Sequence, residues 1–221
     1  MTGVTNAKHM IDFRFYLVTD RTLCTPHTLA SVVHDACVSG VRAVQLREKD
    51  FSSTDVVSSA TRLVGLMHPQ QAKLFINVST VEDDTLALIA ASPGVDGFHV
   101  PDDPELLAHI RASFPKHLIG VSTHTIDRVR TASEAGADFL TFGPVFATPG
   151  KKSHPSQGID ALKKACAATK LPVFAIGGVR VDNAMECLDA GAHGVAVIRA
   201  VMESTSPRRA VREFAEVMGT L

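Results

Sequence analysis

Short apolar runs rich in Val, Ile and Phe recur along the chain, and each is too short to form a helix. Eight such runs can be counted: FYLVT, AVQLR, LFINV, GFHV, LIGVS, FLTFGP, VFAIGG and GVAVI. Helical spacing of apolar residues marks segments between them, at 28–39, 52–67, 84–91, 104–114, 126–135 and 182–190. Nearly continuous apolar strands that alternate with helices indicate a buried parallel sheet. Eight such units without a linker predict an α/β protein, a single (β/α)8 TIM barrel that forms one domain over residues 1–221.

Composition and charge agree with this fold and narrow the classes of ligand. The chain has 221 residues, of which 45% are hydrophobic, and this is enough to bury the core of one barrel. A formal net charge of −1 with mixed signs gives no broad basic face for nucleic acid. No apolar run reaches the length of a membrane span, and the N-terminal residues lack a signal-peptide core. We therefore expect small-molecule ligands, a cytoplasmic location, and neither nucleic-acid nor membrane partners.

The cysteines carry no signature of a disulfide framework or a metal site. They are far apart, and no CxxC pair occurs. We expect all four to be reduced and to act as small core residues: Cys24, Cys37, Cys166 and Cys187.

Polar residues follow several of the predicted strands, where the reactive groups of a TIM barrel cluster. The second run ends in QLREKD, which places Gln45, Arg47 and Lys49 at alternating positions. Residues two apart on a strand face the same side, so these three are expected at the barrel mouth, with Glu48 pointing outward. The alternative is a solvated strand end that carries ordinary ion pairs.

Two histidines also stand at strand ends. His124 follows the fifth run in GVSTHT, beside Ser122 and Thr123, and its position makes a functional role as plausible as a structural one. His99 ends the fourth run in GFHV, and we expect it to be structural.

The seventh and eighth strands end where barrels commonly hold phosphate. Gly177 and Gly178 follow the seventh run, and their bare backbone would let a phosphate approach the amide groups. The eighth run leads through Ile198 and Arg199 into a helix whose amino end could complete the anion site.

The segment GPVFATPGKKSHPSQG, residues 143–158, is a long connection with two adjacent lysines, Lys151 and Lys152. An ordinary surface loop would explain it, because glycine, proline and lysine are common in such loops. Together with Arg47 and Lys49, however, these lysines would form a second anion site at the mouth. Two anion sites indicate two phosphorylated substrates, or one that is doubly phosphorylated.

Seven segments together carry a family resemblance: FYLVTD, VQLREKD, GFHV, IGVSTHT, FGPVFATPGKK, FAIGG and AGAHGVAVI. In this order, and over nearly the whole chain, they resemble the thiamine-phosphate synthase and thiazole tautomerase superfamily. The resemblance implies a barrel enzyme that joins hydroxymethylpyrimidine pyrophosphate to thiazole phosphate and releases pyrophosphate. A homodimer is an open alternative to a monomer.

The resemblance also implies roles for individual residues. Gln45 would contact the pyrimidine, while the thiazole phosphate would be held at Gly177, Gly178, Ile198 and Arg199. Thr148 and Lys151 would reach the substrate from the long connection, with Lys151 acting as an electrostatic latch. The pyrophosphate would be surrounded by Arg47, Lys49, Asn77, Ser122 and Lys151. His124 is included with Arg47, Lys49, Ser122 and Lys151 among the catalytic candidates.

The metal-binding side departs from the synthase pattern. Synthases carry an aspartate directly after the asparagine that matches Asn77, and here that position is Val78. The remaining carboxylate for magnesium would come from Asp102 or Asp103, so we expect Mg²⁺ to be required but weakly bound. An aspartate introduced at position 78 would be expected to project toward the anion site and tighten Mg²⁺.

Two other functions stay open on this evidence. A thiazole tautomerase would move a proton on a thiazole carboxylate phosphate, with His124 as its acid–base group and without metal. A degenerate member would bind a phosphorylated ligand without turnover.

Overall fold

The structure is a computed structural model that describes residues 11–79, 86, 92–148 and 155–219. Eight parallel strands close into a barrel in sequence order, and β1 pairs with both β2 and β8. The strands are β1 (Phe15–Val18), β2 (Ala43–Leu46), β3 (Lys73–Asn77), β4 (Gly97–Val100), β5 (Leu118–Thr123), β6 (Phe139–Phe142), β7 (Val173–Ile176) and β8 (Gly194–Val197). Every predicted run is one of these strands, and the predicted TIM barrel is confirmed.

Helices connect the strands and surround the barrel. Those in the described part of the chain are α1 (Leu29–Val38), α2 (Ser53–Met67), α3 (Pro104–Ser113), α4 (Ile126–Glu134), α5 (Ile159–Ala167), α6 (Ala184–Asp189), α7 (Arg199–Met202) and α8 (Pro207–Met218). Short 3-10 helices occur at Arg21–Leu23, His68–Gln70 and Val181–Asn183. The predicted helix at 182–190 therefore begins with a 3-10 turn. The predicted helix at 84–91 lies outside the described residues except for Leu86.

Local sequence explains where several helices begin. Thr28 and Ser52 each form a capping box, with Ser31 and Asp55 respectively. The Asp103 carboxylate accepts hydrogen bonds from two backbone amides at the start of α3. These caps satisfy amides that would otherwise lack a partner at the helix ends.

Two hydrophobic clusters lie on opposite faces of the barrel wall, because residues along each strand alternate between its faces. The inner cluster is rich in aromatic rings, and Tyr16 and Phe139 lie 5.4 Å apart between ring centroids. Phe13, just before β1, stacks on Phe174 at 5.2 Å. The barrel interior is thus a packed core, which leaves the carboxyl ends of the strands as the place for a site.

The four cysteines are all free thiols, as predicted, and three of them are buried. Burial raises the pKa of the Cys24 thiol to about 11, so this group stays protonated and weakly reactive near neutral pH. Among the described residues, no helix is both long and apolar enough to cross a bilayer.

Candidate active site

The carboxyl ends of β2 to β5 bring polar residues to one rim of the barrel. Gln45 lies on β2, Asn77 ends β3, His99 lies on β4 and Ser122 lies on β5. Strand pairing sets Asn77 beside His99, and His99 beside Gly120. The residues predicted at these strand ends are therefore neighbours on the same side of the barrel.

Hydrogen bonds join these residues into what we call the rim network, formed by Gln45, Tyr16, His99, Ser122 and Asn77. The Gln45 amide nitrogen donates to the Tyr16 hydroxyl at 3.2 Å, and that hydroxyl lies 3.3 Å from His99 Nδ1. The other ring nitrogen of His99 lies 3.0 Å from the Ser122 hydroxyl. Asn77 donates to the His99 backbone carbonyl at 3.2 Å. The network thus connects three predicted substrate contacts through two residues that had not been predicted as functional.

Burial keeps the centre of the rim network uncharged. Desolvation, and secondarily the positive charge of Arg47, lower the pKa of His99 to about 3. Burial also raises the pKa of the Tyr16 hydroxyl above its usual range. At neutral pH both side chains are neutral, so His99 does not act as a cationic partner of phosphate. No feature of the sequence indicates that His99 meets Tyr16, the chain's single tyrosine, because 83 positions separate them.

Arg47 and Lys49 lie beyond the end of β2 and differ in burial. Arg47 is partly buried, and its backbone N–H donates to the Thr19 hydroxyl at 2.9 Å, whereas Lys49 is exposed. Glu48, expected to point outward, is partly buried and folds onto the end of β1. Its carboxylate accepts hydrogen bonds from the Thr19 hydroxyl at 2.6 Å and the Arg21 backbone N–H at 2.9 Å. This arrangement fixes the backbone from which Arg47 projects.

The glycine pair after β7 packs against the start of the 143–158 segment. The Phe146 N–H donates to the Gly177 carbonyl at 2.9 Å. Gly178 has a φ of +67°, and a Cβ there would lie 2.6 Å from the Ala147 carbonyl oxygen. Glycine is therefore required by the approach of this segment, a reason that the sequence alone did not reveal. Thr148, the last described residue before the gap, is partly buried.

The residues after β8 lie at the start of a short helix. Ile198 is partly buried and precedes α7, while Arg199 is exposed. The Arg199 guanidinium forms an ion pair with Glu203, one turn further along the helix. Any contact of Arg199 with a phosphate would therefore come from its backbone N–H unless this pair opens.

His124 lies at the rim after β5, where it is exposed. Its Nδ1 lies 2.5 Å from the carbonyl oxygen of Gly143, the residue that follows β6. Because a carbonyl oxygen only accepts, this contact assigns the ring proton to Nδ1 and leaves Nε2 as the available basic nitrogen.

The two predicted metal ligands make other contacts. The Asp102 carboxylate pairs with the Arg128 guanidinium at 2.6 Å, and the Asp103 carboxylate caps α3. Among the described residues, no group of three or more His, Cys, Asp or Glu side chains could hold a metal. This donor set does not fit a Mg²⁺ site built by the protein.

Val78 does not lie where the sequence comparison with synthases suggested. Its side chain is 1% exposed and belongs to the outer hydrophobic cluster, on the opposite face of the barrel wall from the rim network. The expectation that an aspartate at position 78 would project toward the anion site is therefore wrong for this backbone. The predicted lysines of the long connection, Lys151 and Lys152, lie outside the described residues.

Comparisons with known proteins agree on one family. Residues 15–201 match the family described as thiamine monophosphate synthase. A thiamine-phosphate synthase of Albidiferax ferrireducens is 35% identical, over 94% of this chain and 94% of that protein. Another from Chloroflexus aurantiacus is 34% identical, over 93% of each chain. A solved structure of thiamine phosphate pyrophosphorylase from Pyrococcus furiosus superimposes with a TM-score of 0.81 at 29% identity, covering 93% of this chain and 95% of that one.

Proposed function

The chain belongs to the thiamine monophosphate synthase family, and from this premise we propose that it is a thiamine-phosphate synthase. The enzyme would join hydroxymethylpyrimidine pyrophosphate to thiazole phosphate and release pyrophosphate. The observation that carries the proposal is the rim network, which brings Gln45, Asn77 and Ser122 together beside Arg47. Small phosphorylated molecules are the substrates of this reaction.

The reaction breaks a carbon–oxygen bond and forms a carbon–nitrogen bond. Pyrophosphate leaves with the bonding electron pair, and the thiazole nitrogen donates its lone pair to the pyrimidine methylene. Negative charge grows on the leaving group in the transition state, so preorganised cations and hydrogen-bond donors near it lower the barrier. We assign this role to Arg47, with Lys49, Asn77 and Ser122 as further contacts.

The orientation of Gln45 supports its predicted contact with the pyrimidine. Its amide nitrogen is used by Tyr16 inside the barrel. The amide oxygen is then the atom left to accept a hydrogen bond from the pyrimidine. Burial of Gln45, which is 3% exposed, restricts this amide to few orientations.

The thiazole phosphate is proposed to bind on the opposite side of the rim. Gly177 and Gly178 follow β7, Ile198 and Arg199 follow β8, and backbone amides there would be the donors to the phosphate. Thr148 and Lys151 stay predicted substrate contacts, and Lys151 lies outside the described residues. These contacts stay predictions, as do the homodimer and the cytoplasmic location.

Magnesium has no step in this mechanism. Asp102 is paired with Arg128 and Asp103 caps a helix, so neither carboxylate is presented as a free ligand. We expect any Mg²⁺ requirement to reflect an ion that arrives on the pyrophosphate of the substrate.

The second candidate, a thiazole tautomerase, would use His124 as its acid–base group. With Nδ1 bonded to Gly143, its Nε2 could accept a proton at the rim. This reaction would need no metal.

One pair of assays separates the two reactions. The purified protein is incubated with both synthase substrates and Mg²⁺, and thiamine phosphate is measured. In parallel, a thiazole carboxylate phosphate is supplied with EDTA, and isomerisation is followed. We expect thiamine phosphate in the first assay. Isomerisation in the presence of EDTA, with no thiamine phosphate formed in the first assay, would mean that the protein is a tautomerase and not a synthase.

A further inference from the structure

Two residues of the rim network, Tyr16 and His99, contact no substrate in the mechanism above. They are 0% and 2% exposed and are surrounded by the rings of Phe75 and Phe139. Burying polar side chains in an aromatic core costs free energy unless each finds a partner. Here the partners are Gln45 on one side and Ser122 on the other, both candidate substrate contacts. The polar chain therefore links two parts of the proposed site through the inside of the barrel.

The chemistry of the donors gives this chain a direction. An amide nitrogen only donates, so the Tyr16 oxygen accepts the hydrogen bond from Gln45. A hydroxyl proton buried among aromatic rings needs an acceptor, and in the described contacts of the Tyr16 hydroxyl that acceptor is His99 Nδ1, so we assign the proton of this contact to Tyr16. A neutral imidazole that accepts at Nδ1 carries its proton on Nε2, and this proton points at the Ser122 oxygen. With that oxygen accepting from His99, the hydroxyl proton of Ser122 is free to point away from His99.

Neighbouring elements hold the His99 ring in this position. Gly120, beside His99 on β5, leaves the space that the ring occupies, since a Cβ there would lie 2.6 Å from His99 Nδ1. On the other side, Asn77 bonds the His99 backbone carbonyl. The position of the His99 ring is thus set by its backbone, by the space that Gly120 leaves and by two hydrogen bonds.

We propose that Tyr16 and His99 are positioning residues that make Ser122 a hydrogen-bond donor toward the anionic part of the ligand, and that turn the Gln45 amide oxygen toward the mouth. The inference rests on the proposed function, since it assigns pyrophosphate as the anion that Ser122 meets. If every hydrogen bond in this series ran in the opposite direction, Ser122 would donate to His99 and present only lone pairs to the ligand. An anion would not favour such an acceptor. The low pKa of His99 and the raised pKa of Tyr16 agree with a chain of neutral groups.

The tautomer of His99 is a direct test that needs no turnover. Nitrogen NMR of the full chain, labelled at histidine, distinguishes a proton on Nε2 from one on Nδ1. We expect His99 to stay neutral with its proton on Nε2, and Tyr16→Phe to remove this preference. A proton on Nδ1 in the wild-type protein would mean that the hydrogen bonds run in the opposite direction, and this would overturn the proposal.

A double-mutant cycle measures the link to the ligand. Inorganic pyrophosphate is titrated into the wild type, Tyr16→Phe, Ser122→Ala and the double variant, and each Kd is measured by calorimetry. We expect each single variant to bind about tenfold more weakly, and the double variant to be no weaker than Ser122→Ala alone. Additive losses, or no loss in Tyr16→Phe, would mean that the hydroxyl does not act through Ser122.

A rescue experiment separates positioning from packing. His99→Phe keeps an aromatic ring but removes both hydrogen bonds, whereas His99→Gln supplies an amide N–H as a replacement donor for Ser122. We expect His99→Gln to recover pyrophosphate affinity that His99→Phe loses, at similar melting temperature. Equal affinities for the two variants would make His99 a packing residue.

Failure of this inference is distinguishable from failure of the proposed function. If no thiamine phosphate is formed but the His99 tautomer and the cycle are as expected, the positioning role stands and the assigned reaction is wrong. If thiamine phosphate is formed at the wild-type rate by Tyr16→Phe, the reaction stands and the positioning role is wrong.

Discussion

Single side chains at the barrel mouth differ in how firmly the fold holds them. Arg47 is partly buried and its backbone is bonded to Thr19, whereas Lys49, two residues later, is exposed. A fixed charge stabilises a transition state more effectively than a mobile one, because little reorganisation is needed as charge develops. Because its backbone is held and its side chain is partly buried, we expect Arg47 to be the cation on which the proposed chemistry depends most.

Replacing Arg47 with alanine should slow the synthase reaction strongly. We expect kcat/KM to fall about 30-fold, equivalent to about 2 kcal/mol of transition-state stabilisation. Arg130→Ala is the matched control, because Arg130 is exposed on α4 and pairs with Asp127. Steady-state kinetics check both variants. A near-normal rate for Arg47→Ala would make Arg47 a structural residue.

Val78→Asp should destabilise the fold instead of improving metal binding. The new carboxylate would lie in the outer hydrophobic cluster without a designed partner, at a cost on the order of 3 kcal/mol. Its pKa would be raised in the folded state, so the loss should shrink as the pH falls and the carboxyl group takes up a proton. Urea unfolding at two pH values measures this.

Val78→Asn is the control for Val78→Asp, because it has the same shape and no charge. Its loss of stability should not depend on pH in this range. Tighter Mg²⁺ binding by Val78→Asp at unchanged stability would contradict the position assigned to Val78.

Some of these residue positions could be predicted from sequence and others could not. Strand ends and period-two alternation were enough to place Gln45 at the mouth, because a strand fixes the side on which its residues lie. The contacts of His99 and the ion pair of Asp102 with Arg128 depend on residues from other strands and helices. Sequence spacing gives no information on such pairings.

At the scale of elements, the segment after β6 rests on the turn after β7. Val145 and Phe146 donate backbone hydrogen bonds to the carbonyls of Ile176 and Gly177. Gly178 lies directly under this segment, and its positive φ disfavours any other residue. The turn after β7 therefore positions the chain that leads to Thr148.

Gly178→Ala should disturb this contact. The added methyl group would overlap Phe146 and the Ala147 carbonyl, in a backbone conformation unfavourable to alanine. We expect stability to fall by about 1–3 kcal/mol and KM for thiazole phosphate to rise. Gly65→Ala is the control, because Gly65 lies in α2 with open space around it and should gain about 0.5–1 kcal/mol. Equal stability changes in the two variants would refute the contact.

Elements with strong apolar patterns were predicted well, and others were missed. The buried strands read as continuous apolar runs because both faces of the barrel wall are covered. The helix α8, Pro207–Met218, was not identified, although its buried residues follow helical spacing: Pro207, Ala210, Val211, Phe214 and Met218. Its many charged residues lower the average hydrophobicity of the segment, so the helical spacing of its apolar residues is easily overlooked in the sequence.

At the scale of the whole molecule, one buried and two partly buried histidines link stability to pH. Desolvation lowers the pKa of His99 to about 3, and burial also lowers the pKa values of His117 and His193. In the unfolded chain these groups would titrate near about 6.5. Below that pH the unfolded state binds more protons than the folded state, so the free energy of unfolding must decrease as the pH falls from about 6.5 toward 3.

Urea unfolding at about pH 7.5 and about pH 5.5 tests this linkage. We expect lower stability at the acidic pH, with about 1.4 kcal/mol of the loss due to His99 for one pH unit below its unfolded value. His99→Gln should make the difference between the two pH values smaller. Equal pH dependence in this variant and the wild type would mean that His99 is not held neutral by the fold.

The central claim is that the rim of this barrel couples bond cleavage at pyrophosphate to bond formation at thiazole. The most direct measurement is the amount of pyrophosphate released and of thiamine phosphate formed by the wild-type protein with both substrates present. We predict equal amounts of the two products, with both rates reduced by the same factor in Arg47→Ala. Pyrophosphate release without thiamine phosphate, or neither product at saturating substrates and Mg²⁺, would contradict the account.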